Sequence, residues 1–128
     1  MDTLSYVNVF VRDIEALPDF YAAVFGLAEA VEQRSGIFRA LLTGASAIGF
    51  NGPEAYALLG LEPAEAAAGV RFALTFDVPA PDEVAPRAAR AVALGARLVK
   101  GPYRTAYGTV QAVLTDPEDN VFRINAAR

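Results

Sequence analysis

Apolar and polar residues alternate through LSYVNVFVR at positions 4–12. Val7, Val9 and Val11 share one face, and Tyr6, Asn8, Phe10 and Arg12 the other, which is the period of a strand. The period changes after Asp13. In IEALPDFYAAVFGL, Leu17, Phe20, Tyr21, Val24 and Phe25 recur at three- and four-residue spacing. Pro18 suits a first turn and Gly26 a C-terminal stop, so an amphipathic helix is expected, with Asp13 capping its start. Residues 28–34, 37–42 and 45–51 then read as three short strands, parted by Ser35-Gly36 and Thr43-Gly44. The first 51 residues thus predict β-α-β-β-β.

The stretch 52–69, GPEAYALLGLEPAEAAAG, has Gly and Pro punctuation, alanine-rich helical propensity and little alternation, and reads as a linker with helical turns. Beyond it VRFALTFDV (70–78) alternates, with Phe72, Leu74 and Phe76 on one face. DEVAPRAARAVALGA (82–96) follows as a helix. ARLVKGPY, YGTVQAVL and NVFRIN are three further strands, with turns expected at Gly101-Pro102 and Asp116-Pro117. Residues 70–128 therefore repeat β-α-β-β-β. Within one chain of 128 residues this gives two modules, 1–51 and 70–128, in an α+β fold.

Composition narrows the chemistry. With 54% hydrophobic and 20% charged residues the chain has ample core material. A net charge of −4 argues against nucleic acid or an anionic membrane as partner. The absence of cysteine and of histidine removes thiolate chemistry, imidazole bases and the usual ligands of zinc and non-haem iron. The N-terminus shows no basic region ahead of a long apolar run, so a cytoplasmic chain without a signal peptide is expected.

Two segments carry a resemblance. LSYVNVFVRDIEALPDFYAAVFGL is similar to the opening of vicinal-oxygen-chelate proteins: a strand, an Asp, a helix bearing Phe-Tyr, then Gly-Leu. TDPEDNVFRI resembles their closing Asp-Pro-acid-Gly-Asn strand, with Asp119 where Gly is usual. Members include glyoxalase I, extradiol dioxygenases, thiol-transferring fosfomycin-resistance enzymes and bleomycin-type drug-binding proteins. The resemblance implies two βαβββ modules forming U-shaped mixed sheets around a cleft, paired in a homodimer. The metal-ligand slots it implies fall at Tyr6, near Gly49, near Arg71 (Val70 if the register slips) and at Arg123. None carries a normal metal ligand, and the two arginines would repel a cation. A metal-free, drug-binding member with no cofactor is expected.

Alternation supplies the inward faces independently. If Val7, Val9 and Val11 are core, Tyr6, Asn8 and Phe10 face inward. The same argument assigns Ala47 and Gly49 opposite Ile48 and Phe50. It assigns Arg71, Ala73 and Thr75 opposite Phe72, Leu74 and Phe76, and Arg123 and Asn125 opposite Phe122 and Ile124. Small residues leave room, aromatics offer a stacking face and polar groups fix orientation, as a planar organic ligand needs. Arg71 and Arg123 can stack on such a ligand or grip a carboxylate or carbonyl. The bland alternatives are a filled sheet concavity for Tyr6 and Phe10, and a solvated strand edge for Arg71. Arg123 has the alternative of pairing with Asp116, Glu118 or Asp119. Tyr103 and Tyr107 flank GPYRTAYG, a stretch suited to a lid or to an exposed hairpin.

The expectation is a binding protein that sequesters a small aromatic natural product or antibiotic, leaning away from catalysis. The alternatives are a metal-independent enzyme of the glyoxalase fold and a non-catalytic interaction module. A general base would need a carboxylate poised on an inward face, and only Asp77, at a strand end, comes near.

Overall fold

The computed structural model describes residues 3–63, 70 and 72–127. The chain divides into two compact units, Met1–Ala66 and Ala67–Arg128. Each holds one mixed sheet with a helix on one face.

In the first unit, β1 (Tyr6–Phe10) pairs in parallel with β3 (Ala47–Asn51), which pairs antiparallel with β2 (Phe38–Leu42). The helix α1 (Ala16–Phe25) presents Leu17, Phe20, Tyr21 and Val24 to the core, as its spacing requires. Tyr21 packs on Phe50 with ring centroids 5.8 Å apart. Val9, Leu41 and Phe50 are buried on the same sheet face, and each such side chain removed from water contributes about 2 kcal/mol. Gly26 ends the helix in a left-handed conformation at φ 67°, returning its N–H to the Ala22 carbonyl. Asp13 does cap the entry. Its Oδ1 accepts from the Glu15 and Ala16 backbone N–H groups at 3.0 and 2.9 Å, and those bonds hold its carboxyl below the ordinary value.

The strand expected at 28–34 does not form. Glu29 makes an isolated bridge to Leu41, and residues 31–33 turn as a short 3₁₀ helix. The reason is electrostatic: Glu29 turns its side chain onto Arg34 and Arg39. Arg39 is 7% exposed, and its guanidinium donates also to Asp19 at 2.8 Å and to the Glu15 carbonyl at 3.1 Å. A buried cation must be fully paired, and that requirement shapes the segment more than strand propensity does. A short helix α2 (Glu54–Leu58) follows β3; residues 64–69 of the expected linker lie outside the described residues.

In the second unit the strand order is β4-β7-β6-β5, with β4 (Leu74–Asp77) parallel to β7 (Val121–Ala127) and the remaining pairs antiparallel. The first unit has the same order, β1-β3-β2, with the Glu29 bridge in the place of its fourth strand. Phe122, Ile124 and Ala126 are fully buried at period two along β7, on the side where Val84, Ala88 and Ala91 of α3 (Val84–Ala93) are buried.

Two expectations fail here. Phe72 is not core: it is 57% exposed and precedes β4. Gly101-Pro102 is not a turn: it lies inside β5 (Arg97–Arg104), and the reversal into β6 (Thr109–Thr115) comes at residues 105–108. Between β6 and β7, the Asp116 side chain accepts from the Glu118 and Asn120 backbone at 2.8 and 3.0 Å. Asp119 takes φ 68° there, a left-handed conformation that explains why Gly is usual at this position and Asp is tolerated.

Candidate functional site

Each sheet turns one face away from its helix; Tyr6, Asn8, Phe10, Ala47 and Gly49 lie on that face of the first, and Thr75, Tyr103, Arg123 and Asn125 on that of the second. In the first unit the register aligns Tyr6 with Ala47, Asn8 with Gly49 and Phe10 with Asn51. The Tyr6 hydroxyl donates to Gln33 Oε1 at 2.6 Å, and its ring meets Phe38 edge-on at 6.3 Å. Phe10 stacks on Tyr56 with centroids 4.4 Å apart. Asn51 Nδ2 donates to Asn8 Oδ1 at 3.2 Å.

Gly49 leaves no vacancy. A Cβ there would press on Asn8 Oδ1 and sit 2.9 Å from Phe38 Cε1, so neighbouring side chains already cover the glycine. Ala47 is buried at 6% exposure. This face meets its own needs: its hydroxyl, amides and rings are engaged with one another. The partners Gln33, Phe38 and Tyr56 come from other elements, so alternation along one strand does not reveal them.

The second unit is arranged differently. One row of register partners runs Asp77, Asn125, Gln111, Tyr103 across four strands; the next runs Thr75, Arg123, Val113, Lys100. In the first row Asn125 Nδ2 donates to Asp77 Oδ1 at 2.9 Å. Gln111 Nε2 donates to Asn125 Oδ1 and to the Tyr107 hydroxyl, each at 3.3 Å, and the Tyr103 hydroxyl donates to Gln111 Oε1 at 3.2 Å. The Asp77 carboxylate accepts only, so it orients the Asn125 amide, which in turn orients Gln111 and both tyrosine hydroxyls. Gln111, at 3% exposure, is the centre of this chain and is absent from the sequence-derived set.

In the second row Arg123 Nε donates to Thr75 Oγ1 at 2.9 Å. Its terminal nitrogens have no partner among the described residues, and the pairing with Asp116, Glu118 or Asp119 does not occur. Lys100 Nζ lies 4.2 Å from the Tyr103 ring centroid. β-Bulges between Leu98 and Lys100 and between Lys100 and Tyr103 bring Arg97, Lys100 and Tyr103 onto one face at three-residue spacing. Gly101 makes this possible: it has φ 96°, and a Cβ there would lie 2.6 Å from the Gln111 carbonyl. Tyr103 is thus a strand residue, while Tyr107 sits in the 105–108 reversal, 65% exposed. Ala73 immediately precedes β4 and is exposed; Arg71 lies outside the described residues.

The glyoxalase-like domain model matches residues 6–125. The chain belongs to the glyoxalase-like domain family. Its fold is shared with the glyoxalase/bleomycin resistance protein/dioxygenase family enzyme of Burkholderia phytofirmans PsJN, at 50% identity and a TM-score of 0.95, over 99% of this chain and 100% of that one. A glyoxalase-related enzyme from Fulvimarina pelagi, 22% identical, superposes at 0.85 over 98% of this chain and 88% of that one. Lactoylglutathione lyase from Agrobacterium tumefaciens, 19% identical, does so at 0.73 over 98% and 94%. The last two likenesses concern fold alone. No curated protein matches the chain.

The metal that this glyoxalase-like family implies does not fit the slots. The Tyr6 hydroxyl is donating to Gln33, Gly49 has no ligand atom to offer and Arg123 is a cation. Among the described residues, no three His, Cys, Asp or Glu side chains gather as a metal set.

A pocket of about 260 Å³ lies in the first unit beside Ile14, Asp19, Arg34, Ser35 and Arg39. Its cations are paired with Glu29 and Asp19, which gives it a structural character. No helix among the described residues is long and apolar enough to cross a membrane.

Proposed function

We propose that this glyoxalase-like chain is a metal-independent binding protein for a small planar organic molecule, held on the open strand face of the second unit. The observation that supports it is the contrast within that face. Tyr103, Gln111 and Asn125 are locked by mutual hydrogen bonds, while the terminal nitrogens of Arg123 beside them have no partner among the described residues. A rigid aromatic and amide platform next to a guanidinium fork suits recognition of a conjugated, partly polar molecule. Sequestration of an aromatic natural product or antibiotic, by a homodimer, is the physiological role proposed.

Native mass spectrometry of protein freshly purified from its own host, without chelator, tests the reading. An organic mass retained per subunit, lost in Arg123→Ala, is the expected result. A stoichiometric divalent metal, or no saturable binding across a broad aromatic panel, overturns it.

A second reading, metal-independent catalysis, draws on Asp77. Its carboxylate stands on the same face, hydrogen-bonded to Asn125, and the 50%-identical Burkholderia protein is called an enzyme. Under that reading Asp77→Asn keeps ligand binding and stops conversion of the bound molecule.

A further inference from the structure

The charges of the second unit's face are arranged unlike those of the chain as a whole. Acidic residues outnumber basic ones, 15 to 11. Yet Arg97, Lys100 and Arg123 stand on one face, and no carboxylate among the described residues pairs with any of them. In the first unit, by contrast, Arg34 and Arg39 are both satisfied by Glu29.

Apart from Asp77, the hydrogen-bonding capacity left over on this face is that of donors. Arg123 offers its terminal N–H groups, having used Nε on Thr75. Lys100 keeps its ammonium N–H groups, because a contact with the face of the Tyr103 ring uses charge and not a particular donor. The Tyr107 hydroxyl accepts from Gln111 and so keeps its own proton to give. The Thr115 hydroxyl, in the next row, is buried beneath the face and has no partner among the described residues. The one acid on the face among the described residues is Asp77, at the far end of the other row, with one oxygen already taken by Asn125. Arg104 belongs to the opposite parity and donates to the Gly108 carbonyl.

Resting on the ligand reading above, we infer that the molecule bound here is a planar organic acid, its anionic oxygens seated between Arg123 and Lys100. These residues flank Val113 in one register row, so their strands lie about 10 Å apart, the span of a carboxylate together with two side-chain reaches. Asp77 repels an anion from its own end, which directs the acid toward the Lys100 side. The guanidinium fork supplies two parallel donors to a carboxylate, and an amide of the same shape uses that geometry poorly.

The test uses three isosteric probes on the full chain: 2-naphthoate, 2-naphthamide and 2-naphthylmethylammonium, titrated by naphthalene fluorescence at low and high salt. The expected result is about tenfold or greater preference for naphthoate over naphthamide, weaker at high salt, with the ammonium probe weakest. Arg123→Gln is expected to bring acid and amide within about twofold of each other, and Lys100→Gln, an exposed change, to cost the acid about threefold. Thermal unfolding of both variants verifies that they are folded. If naphthamide binds as tightly as naphthoate, or the acid preference survives Arg123→Gln, the acid inference is overturned while the binding reading stands. If none of the three binds, both are overturned.

Discussion

Replacing Glu29 by Gln should remove a pH-dependent part of the first unit's stability. The carboxylate accepts from Arg34 Nε and Nη2 at 2.7 and 2.6 Å and from Arg39 Nη2 at 2.6 Å. These bonds, Arg34 first and Arg39 next, lower its pKa from 4.5 to about 2. The fall of about 2.5 in pKa, at ~1.4 kcal/mol per unit, sets a ceiling of about 3.5 kcal/mol. The Arg34 side chain is 51% exposed and therefore screened by water, so about 2 kcal/mol is the working value. Because the folded pKa is depressed, this stability is complete above the unfolded value and is lost as pH falls toward the folded one. Gln keeps the shape and one acceptor, and Arg39 retains Asp19 and the Glu15 carbonyl, so the fold survives. Urea unfolding of both proteins from neutral pH down to about pH 3 gives the comparison. The wild type should exceed Glu29→Gln by about 2 kcal/mol at pH 7 and by less than about half of that near pH 3. A difference that stays constant across this range would refute the reasoning, because the carboxylate charge would then play no part in it.

Two further changes probe the faces. Gly49→Val drives a branched side chain into the space held by Asn8 and the Phe38 ring, and should cost about 1–3 kcal/mol in urea unfolding, with Asn8→Gly in the same chain recovering part of it. Wild-type stability in the single variant would mean that this space is open after all. Gln111→Leu preserves bulk but strips the partners from the Tyr103 hydroxyl and Asn125 Oδ1, so a loss of about 1–3 kcal/mol is expected, together with weakened binding of any ligand that needs the ordered tyrosines.

The sequence by itself determined the repeat, the helix α1 and the buried side of β1 and β7. Burial follows the pleat in β1 and β7, so Val9 against Tyr6 and Ile124 against Arg123 could be separated by counting in twos. The stop at Gly26 and the cap at Asp13 were legible for a similar reason, since each is set by a few neighbouring residues. Tertiary structure decided whatever depends on a distant partner. Only strand pairing puts Gln111 between Asn125 and Tyr103, and only the bulged register of β5, admitted by Gly101, brings Arg97 and Lys100 to the face of Arg123. Only Phe38 and Asn8 close the space that Gly49 by itself suggests. The expected strand at 28–34 gave way because Glu29 is drawn to Arg39, ten residues away in β2. Periodicity reports which side of an element meets the core, because burial acts on every residue in turn. Which side chains meet each other is set by register, bulges and charge pairing, and these act between segments.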